Sequence, residues 1–269
     1  MNNQFDWSKH QFQQVEKKII TEYDVEKFKK TKIIGQLLEF MQALIKSVQH
    51  KKISQTKENQ KFLEIQQFFL QLEELLLKVP PIQQSLRYGN IAFRDWLDQI
   101  GPIVDNYLKK QLPENLQNAA IELRTYLLDS FGNKERIDYG TGHELQFFLF
   151  LFSLFRLGIF NEQDYEGIVR LAFYRYIIFA RKVQMTYMLE PAGSHGVGDW
   201  MIINFYLLYL ELQSQYKMMM AYFLIAQQKR TLLRILKKNI CFFNVQISLI
   251  MLKKGHFMSI VLFYIVLLI

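Results

Sequence analysis

Three segments of the chain gather residues whose types and spacing suit chemistry. They are Arg87–Trp96 (RYGNIAFRDW), Ser130–Glu144 (SFGNKERIDYGTGHE) and Glu190–Val197 (EPAGSHGV). Each mixes glycine or proline with Asn, Asp, His, Arg or aromatic residues, the composition of loops that carry function when a rigid scaffold holds them. In the second segment Gly140 and Gly142 flank Thr141, directly before an apolar run that begins near His143. Glycines at a helix start leave backbone N–H groups accessible, and the helix dipole favours an anion there. Arg136 is suited to clamp a phosphate with two parallel hydrogen bonds, and Thr141 adds a hydroxyl. The plain alternative is a tight turn before a capped helix. No Gly-Lys-Ser/Thr follows, so the segment is not a P-loop.

The third segment is a turn by composition, because Pro191, Gly193 and Gly196 preclude a continuing helix. Its glycine carbonyls suit a cation. His143 and His195 each lack a second ligand at zinc spacing, so a structural or hydrogen-bonding role is expected of both. Arg87–Trp96 predicts a helix start capped by Asn90 with Phe93 and Trp96 packed, the alternative being an aromatic contact surface. Glu73 and Glu74 are expected on an ordinary solvated helix face. Nothing pairs a nucleophile with a base, so covalent catalysis is not supported.

The elements that must position these loops are helical in pattern. Ile33, Leu37, Phe40, Met41, Leu44, Ile45 and Val48 recur at i, i+3, i+4 spacing, as do Phe62, Ile65, Phe69, Leu72, Leu75 and Leu76. The polar stretch 50–59 connects the two. Pro113 opens a further helix, with Glu114 in its first turn and Gly132 beyond its end. His143–Leu157 is apolar nearly all round, which predicts a helix buried on most sides and ended by Gly158. Asn161 predicts the cap of a long helix through Tyr165, Val169, Phe173, Ile177 and Phe179. No alternating strand pattern is sustained, and the fold class expected is all-α.

Composition bounds the rest. Of 269 residues, 50% are apolar and 22% charged, enough for a sizeable core. A single cysteine, Cys241, excludes a disulfide framework and a cysteine zinc cluster. The N-terminal stretch is polar, and no signal peptide is visible. The net charge of +8 is uneven, with +6 on residues 198–269 and +2 on residues 1–197. All five prolines lie in the first part and six of the ten methionines in the second. Three regions follow: an N-terminal helical region 1–80, a core 81–197 that carries the three segments, and a tail 198–269.

RYGNIAFRDW, RIDYGTGHE and MLEPAGSHGV, in that order and spacing, resemble the phosphotyrosyl phosphatase activator family over roughly residues 83–197. The resemblance implies an all-helical fold that activates protein phosphatase 2A by binding its catalytic subunit, with the scaffold subunit as a further partner. It implies a peptidyl-prolyl cis–trans isomerase, with a non-catalytic phosphatase-binding chaperone module as the alternative. Isomerisation needs no nucleophile, only a site that favours the twisted imide. ATP and Mg are the implied cofactors. By motif, Arg136, Thr141 and Gly142 correspond to nucleotide-binding positions, and Gly196 to a backbone ligand near the magnesium. Gly140, His143, Glu144, Glu190, Pro191, Gly193 and His195 would face the nucleotide and the phosphatase. The implied location is cytoplasmic, with the nucleus as a second compartment. The first 197 residues carry only +2, so neither a nucleic acid nor a membrane is an expected partner.

The chain departs from the family after Val197. The family continues Trp-Gly-Leu-Asp-Asp-Tyr/Phe-Gln-Phe-Leu-Pro-Phe, whereas here the run is Gly198-Asp199-Trp200-Met201-Ile202-Ile203-Asn204-Phe205. Codons that encode Gly198–Leu208, read one base earlier with a T borrowed from Val197, translate as WGLDDYQFLPF. The same offset permits DDDGIF across Lys217–Phe223 and AFYEHS across Gly255–Ile260. Residues from about Gly198 onward are therefore expected to be a frameshifted translation of a family gene. The alternative is a genuine tail. Its last apolar run, Phe257–Ile269, is shorter than the roughly 20 residues that span a bilayer. As written, the chain lacks the family's paired aspartates, which include a magnesium ligand, and Asp199 is not at the matching offset.

Overall fold

The structure is a computed structural model that describes residues 6–16, 21–48, 59–85 and 87–192, together with strand segments 240–243 and 247–250. Helix α1, Glu22–Lys29, starts from a reciprocal cap in which Thr21 and Asp24 each accept the other's backbone N–H. Helix α2, Lys32–Val48, buries Ile33, Leu37, Phe40, Met41, Leu44 and Val48. Helix α3, Gln60–Lys78, buries Phe62, Ile65, Phe69, Leu72, Leu75 and Leu76, and Asn59 caps it by accepting from the Phe62 N–H. Both buried stripes follow the apolar spacing, except that Ile45 is only partly buried and Phe68 is buried in addition.

Helix α4, Ala92–Gln111, is long and carries Pro102 in its interior. After Pro113 the chain makes a 3-10 turn, Glu114–Ala119, before α5, Ala120–Asp129. The helix expected from Pro113 is therefore split, with its first part wound tighter than an α-helix. Helix α6, Thr141–Arg156, is the central element. Leu145 and the whole run Phe147–Phe152 are buried, as is Leu154, so it contacts neighbours on nearly every side. Gly158 ends it with a positive φ of 79°.

The long helix expected after Asn161 is a succession of windings. Asn161 caps a 3-10 turn, Glu162–Asp164, which runs into α7, Tyr165–Gly167, then a π-helical stretch, Ile168–Phe173, then α8, Tyr174–Tyr187. The wide turn has a visible anchor. The Arg170 guanidinium is fully buried, donates to Glu166 at 2.8 Å, and reaches the Val48 carbonyl at the end of α2 at 3.3 Å. Glu73 also departs from expectation. It is half-buried between α3 and α8, paired with Arg175 at 3.1 Å and Lys182 at 3.6 Å.

The periodicity also missed short strands. Strand β1, Asp138–Tyr139, pairs in parallel with β2, Glu190–Pro191. Strands β3, Ile240–Phe243, and β4, Ile247–Ile250, form an antiparallel pair within the tail. Among the described residues no helix is long and apolar enough to cross a membrane. The other described elements are helical, and the N-terminus of the buried α6 follows directly on β1.

Candidate functional site

The three loops singled out from sequence meet at the start of α6, joined by backbone hydrogen bonds. Glu190 donates its N–H to the Ile137 carbonyl at 3.1 Å, and Ala192 donates to Tyr139 at 2.8 Å. On the other side of the third segment, Gly89 donates to Met188 at 2.7 Å and Asn90 to Tyr187 at 2.9 Å. The cap expected at Asn90 is displaced: Ile91 stands at the cap position of α4 with no side-chain cap, while Asn90, one residue earlier, accepts the Ala92 N–H on its side-chain oxygen at 3.1 Å and donates to the Ile82 carbonyl. Phe93 and Trp96 are fully buried, so the packing role holds for both.

Gly140 sits where α6 begins, in extended backbone, and supplies no side-chain cap. A Cβ there would stand 2.9 Å from the Ala192 Cβ and 3.1 Å from its carbonyl oxygen. Glycine is thus what lets β1 and β2 close up. Because Gly140 makes no side-chain cap, the first-turn N–H groups that a cap would satisfy suit an anion.

Around that end lies a set of charged and hydroxylic groups. Arg136 is exposed and grips the Asp138 carboxylate through Nε at 2.6 Å and Nη2 at 3.2 Å. Two of its five N–H donors are used this way, which leaves three for an incoming phosphate. His143 is turned inward. Its Nδ1 donates to the Asp129 carbonyl at 2.5 Å, its ring stacks on Tyr139, and its Nε2 stands 3.9 Å from Asp138. Burial opposes charge on Asp138, but the neighbouring His143 and the Arg136 guanidinium outweigh it and hold this carboxyl below the usual range.

Beneath the ring of His143, Tyr139 donates to the Tyr176 hydroxyl at 2.8 Å and Tyr176 donates to the Ser130 carbonyl at 2.7 Å. Burial pushes both phenols well above their ordinary range. Glu144 is partly buried beside them. Desolvation raises its carboxyl to about 7, against the opposing charges of Arg181 and His143. Asp138, Tyr176 and Arg181 were not among the residues picked from sequence. Tyr176 lies on a helix face that packs inward, where a hydroxyl-bearing core residue looks like any other aromatic.

The expected site residues thus divide. Arg136, Gly140, Gly142, His143, Glu144, Glu190 and Pro191 are brought together, with the backbone of Thr141 in the first turn of α6. Gly193, His195 and Gly196 lie outside the described residues, as does the Val197–Gly198 junction. No group of three or more potential metal ligands occurs among the described side chains. An uncapped helix end beside a guanidinium with donors to spare fits the phosphate end of a nucleotide.

A family model described as phosphotyrosyl phosphate activator (PTPA) protein matches residues 15–265. The chain belongs to this family. Probable serine/threonine-protein phosphatase 2A activator 1 of Dictyostelium discoideum is 36% identical over 206 residues, covering 74% of this chain and 63% of that protein. Serine/threonine-protein phosphatase 2A activator of Drosophila melanogaster is 36% identical over 192 residues, covering 71% of this chain and 48% of that protein. The crystal structure of the PP2A phosphatase activator Ypa1 superposes with a TM-score of 0.63 at 29% identity, over 71% of this chain and 62% of that one. The chain therefore spans about half to two thirds of the length of the relatives it matches. The family assignment and the helical fold agree with what the three motifs implied.

Proposed function

We propose that this chain belongs to the phosphatase 2A activators in function as well as in family, and binds the phosphatase catalytic subunit where its three loops meet. The observation that carries this is the backbone stitching of Gly89 to Met188, Ile137 to Glu190 and Tyr139 to Ala192, which makes one surface of the three motifs. The relatives' names supply the partner. Arg136 and the first N–H groups of α6 would hold the phosphates of ATP, and magnesium bound with it would supply a hard cation. On this chain's side, Arg136 binds and orients, Asp138 holds Arg136, and Tyr139 and His143 keep the loop from collapsing. A prolyl isomerase assignment follows by the same resemblance, and such a site works by holding a twisted imide.

The test is binding of the full chain to purified phosphatase 2A catalytic subunit, with Arg136→Ala alongside. Retention of the subunit by the folded wild-type chain is expected, and its absence overturns the proposal. A proline-peptide isomerisation assay then separates the two finer readings. Binding without isomerisation returns the non-catalytic chaperone module.

The tail from Gly198 onward is proposed to be out of frame. Residues 1–197 make up about 73% of the chain, and the two pairwise matches above cover 74% and 71% of it. The family model's range runs on to residue 265, which favours the alternative of a diverged in-frame tail. The transcript distinguishes the two.

A further inference from the structure

The turn that carries Arg136 is costly by itself. Ile137 has a φ of +51°, a left-handed conformation that a β-branched residue rarely adopts. Inside the turn, Asn133 accepts the Glu135 and Arg136 N–H groups on its side-chain oxygen at 3.0 and 2.9 Å. Its carbonyl accepts the Ile137 N–H at 2.9 Å, and its own N–H donates to Asp138 at 3.0 Å. These bonds close the loop but do not say where the loop sits. Its placement comes from the first two turns of α4. Gly132, at a φ of 125°, lies against Phe93 so closely that a Cβ would stand 2.8 Å from the ring. Lys134 pairs with Asp98 at 2.5 Å, but both side chains are at least half exposed, so that contact is weak. Arg94 does something different. Its Nε donates to the Lys134 carbonyl and its Nη2 to the Glu135 carbonyl, each at 3.1 Å. One rigid fork thus fixes two consecutive peptide units, the pair immediately before Arg136.

The structure assigns Arg94 as the positioning residue of the phosphate site: it anchors the 133–138 turn to α4 so that Arg136 meets Asp138 and the start of α6. This rests on the reading of Arg136 as a phosphate clamp, but the anchoring is testable apart from it. Hydrogen exchange of the ligand-free full chain is the first measurement. Arg94→Ala is expected to speed exchange of the Glu135, Arg136 and Ile137 amides about tenfold, with the interior of α4 and α6 unchanged. Arg94→Lys is expected to behave like the alanine variant, because an ammonium cannot bridge both carbonyls in one plane. Unchanged exchange in the turn, or loss of protection spread through α4 and α6, overturns the assignment.

The second measurement titrates inorganic pyrophosphate and follows the amide resonances of residues 135–144. Arg94→Ala should weaken the response about tenfold, Arg136→Ala should weaken it further while leaving it measurable, and the double variant should match Arg136→Ala alone. Independent, additive losses, or an Arg94→Ala affinity equal to wild type, overturn the positioning role. If wild type gives no response, or Arg136→Ala leaves it intact, the phosphate reading fails, and the exchange result alone decides whether Arg94 anchors the turn.

Discussion

Among the described residues two carboxylates, the buried Glu122 and the partly buried Glu144, are pushed up to about 7 from an ordinary value near 4.5, in both cases chiefly by desolvation. Glu122 is fully buried on α5, where one oxygen accepts the Gln13 N–H at 2.8 Å and the other has no hydrogen-bond partner. Below about pH 4.5 such a group is protonated whether the chain is folded or not, and it costs nothing. Between about 4.5 and 7 the unfolded chain ionises while the native one stays neutral, so stability falls as pH rises. Above about 7 both states are charged and the loss is complete. Glu122→Gln should therefore match wild type within about 1 kcal/mol at pH 5 and be more stable by about 1–3 kcal/mol at pH 8. Urea denaturation at both values checks this, and an equal difference at the two pH values would refute it. Gly140→Ala tests the close approach instead. Its backbone is extended, so the cost is steric: the new methyl must push Ala192 away. A loss of about 1–3 kcal/mol is expected, with faster exchange of the Ala192 amide. The motif residues were legible because their types are unusual for a helix. Glu122 was not, since a single glutamate on a polar-apolar helix carries no sign of which way it faces.

At the scale of elements, legibility follows from how local the cause is. The stripes of α2 and α3 are set by spacing within one helix, and the structure buries all the residues that the spacing names but Ile45, which is partly buried. Strands β1 and β2 hold two residues each, and their pairing joins positions about fifty apart in sequence. Period-two alternation needs a longer run to show itself. The π-helical stretch is likewise invisible, because what packs against it, the contact of Arg170 with the end of α2, is distant in sequence. That contact yields a prediction. Arg170→Met removes a fully buried guanidinium, leaves Glu166 without this partner and takes a donor from the Val48 carbonyl. A loss of about 3–5 kcal/mol is expected in chemical denaturation. Arg170→Lys should recover little, since one ammonium cannot serve both acceptors across that distance. Recovery to within about 1 kcal/mol by lysine would show that charge alone, without the fork, holds the turn.

At the scale of the whole molecule the open question is the tail, and the site itself sharpens it. The start of α6 with Arg136 offers a phosphate one positively charged side. A nucleotide's metal needs carboxylate or carbonyl oxygen in addition. Among the described residues near that end, Asp138 is already engaged by Arg136, and burial favours the neutral form of Glu144. The resemblance implies that the family's carboxylates follow directly after its Trp-Gly-Leu, where this chain has Gly198-Asp199-Trp200. Two versions of the protein should therefore differ in kind. With the sequence as given, calorimetric titration of ATP with magnesium should show weak binding or none. With one base restored at the Val197–Gly198 junction, so that Trp-Gly-Leu-Asp-Asp follows, it should show a magnesium-dependent isotherm. The restored chain should also melt higher by several degrees, because each kcal/mol of recovered packing moves the midpoint by about 2–4 °C in a chain of this size. Sequencing the transcript across the junction comes first. Codons there that cannot encode the family run in the shifted frame would end the frameshift proposal. A normal magnesium-dependent isotherm from the unaltered chain would show that the tail, whatever its origin, completes the site.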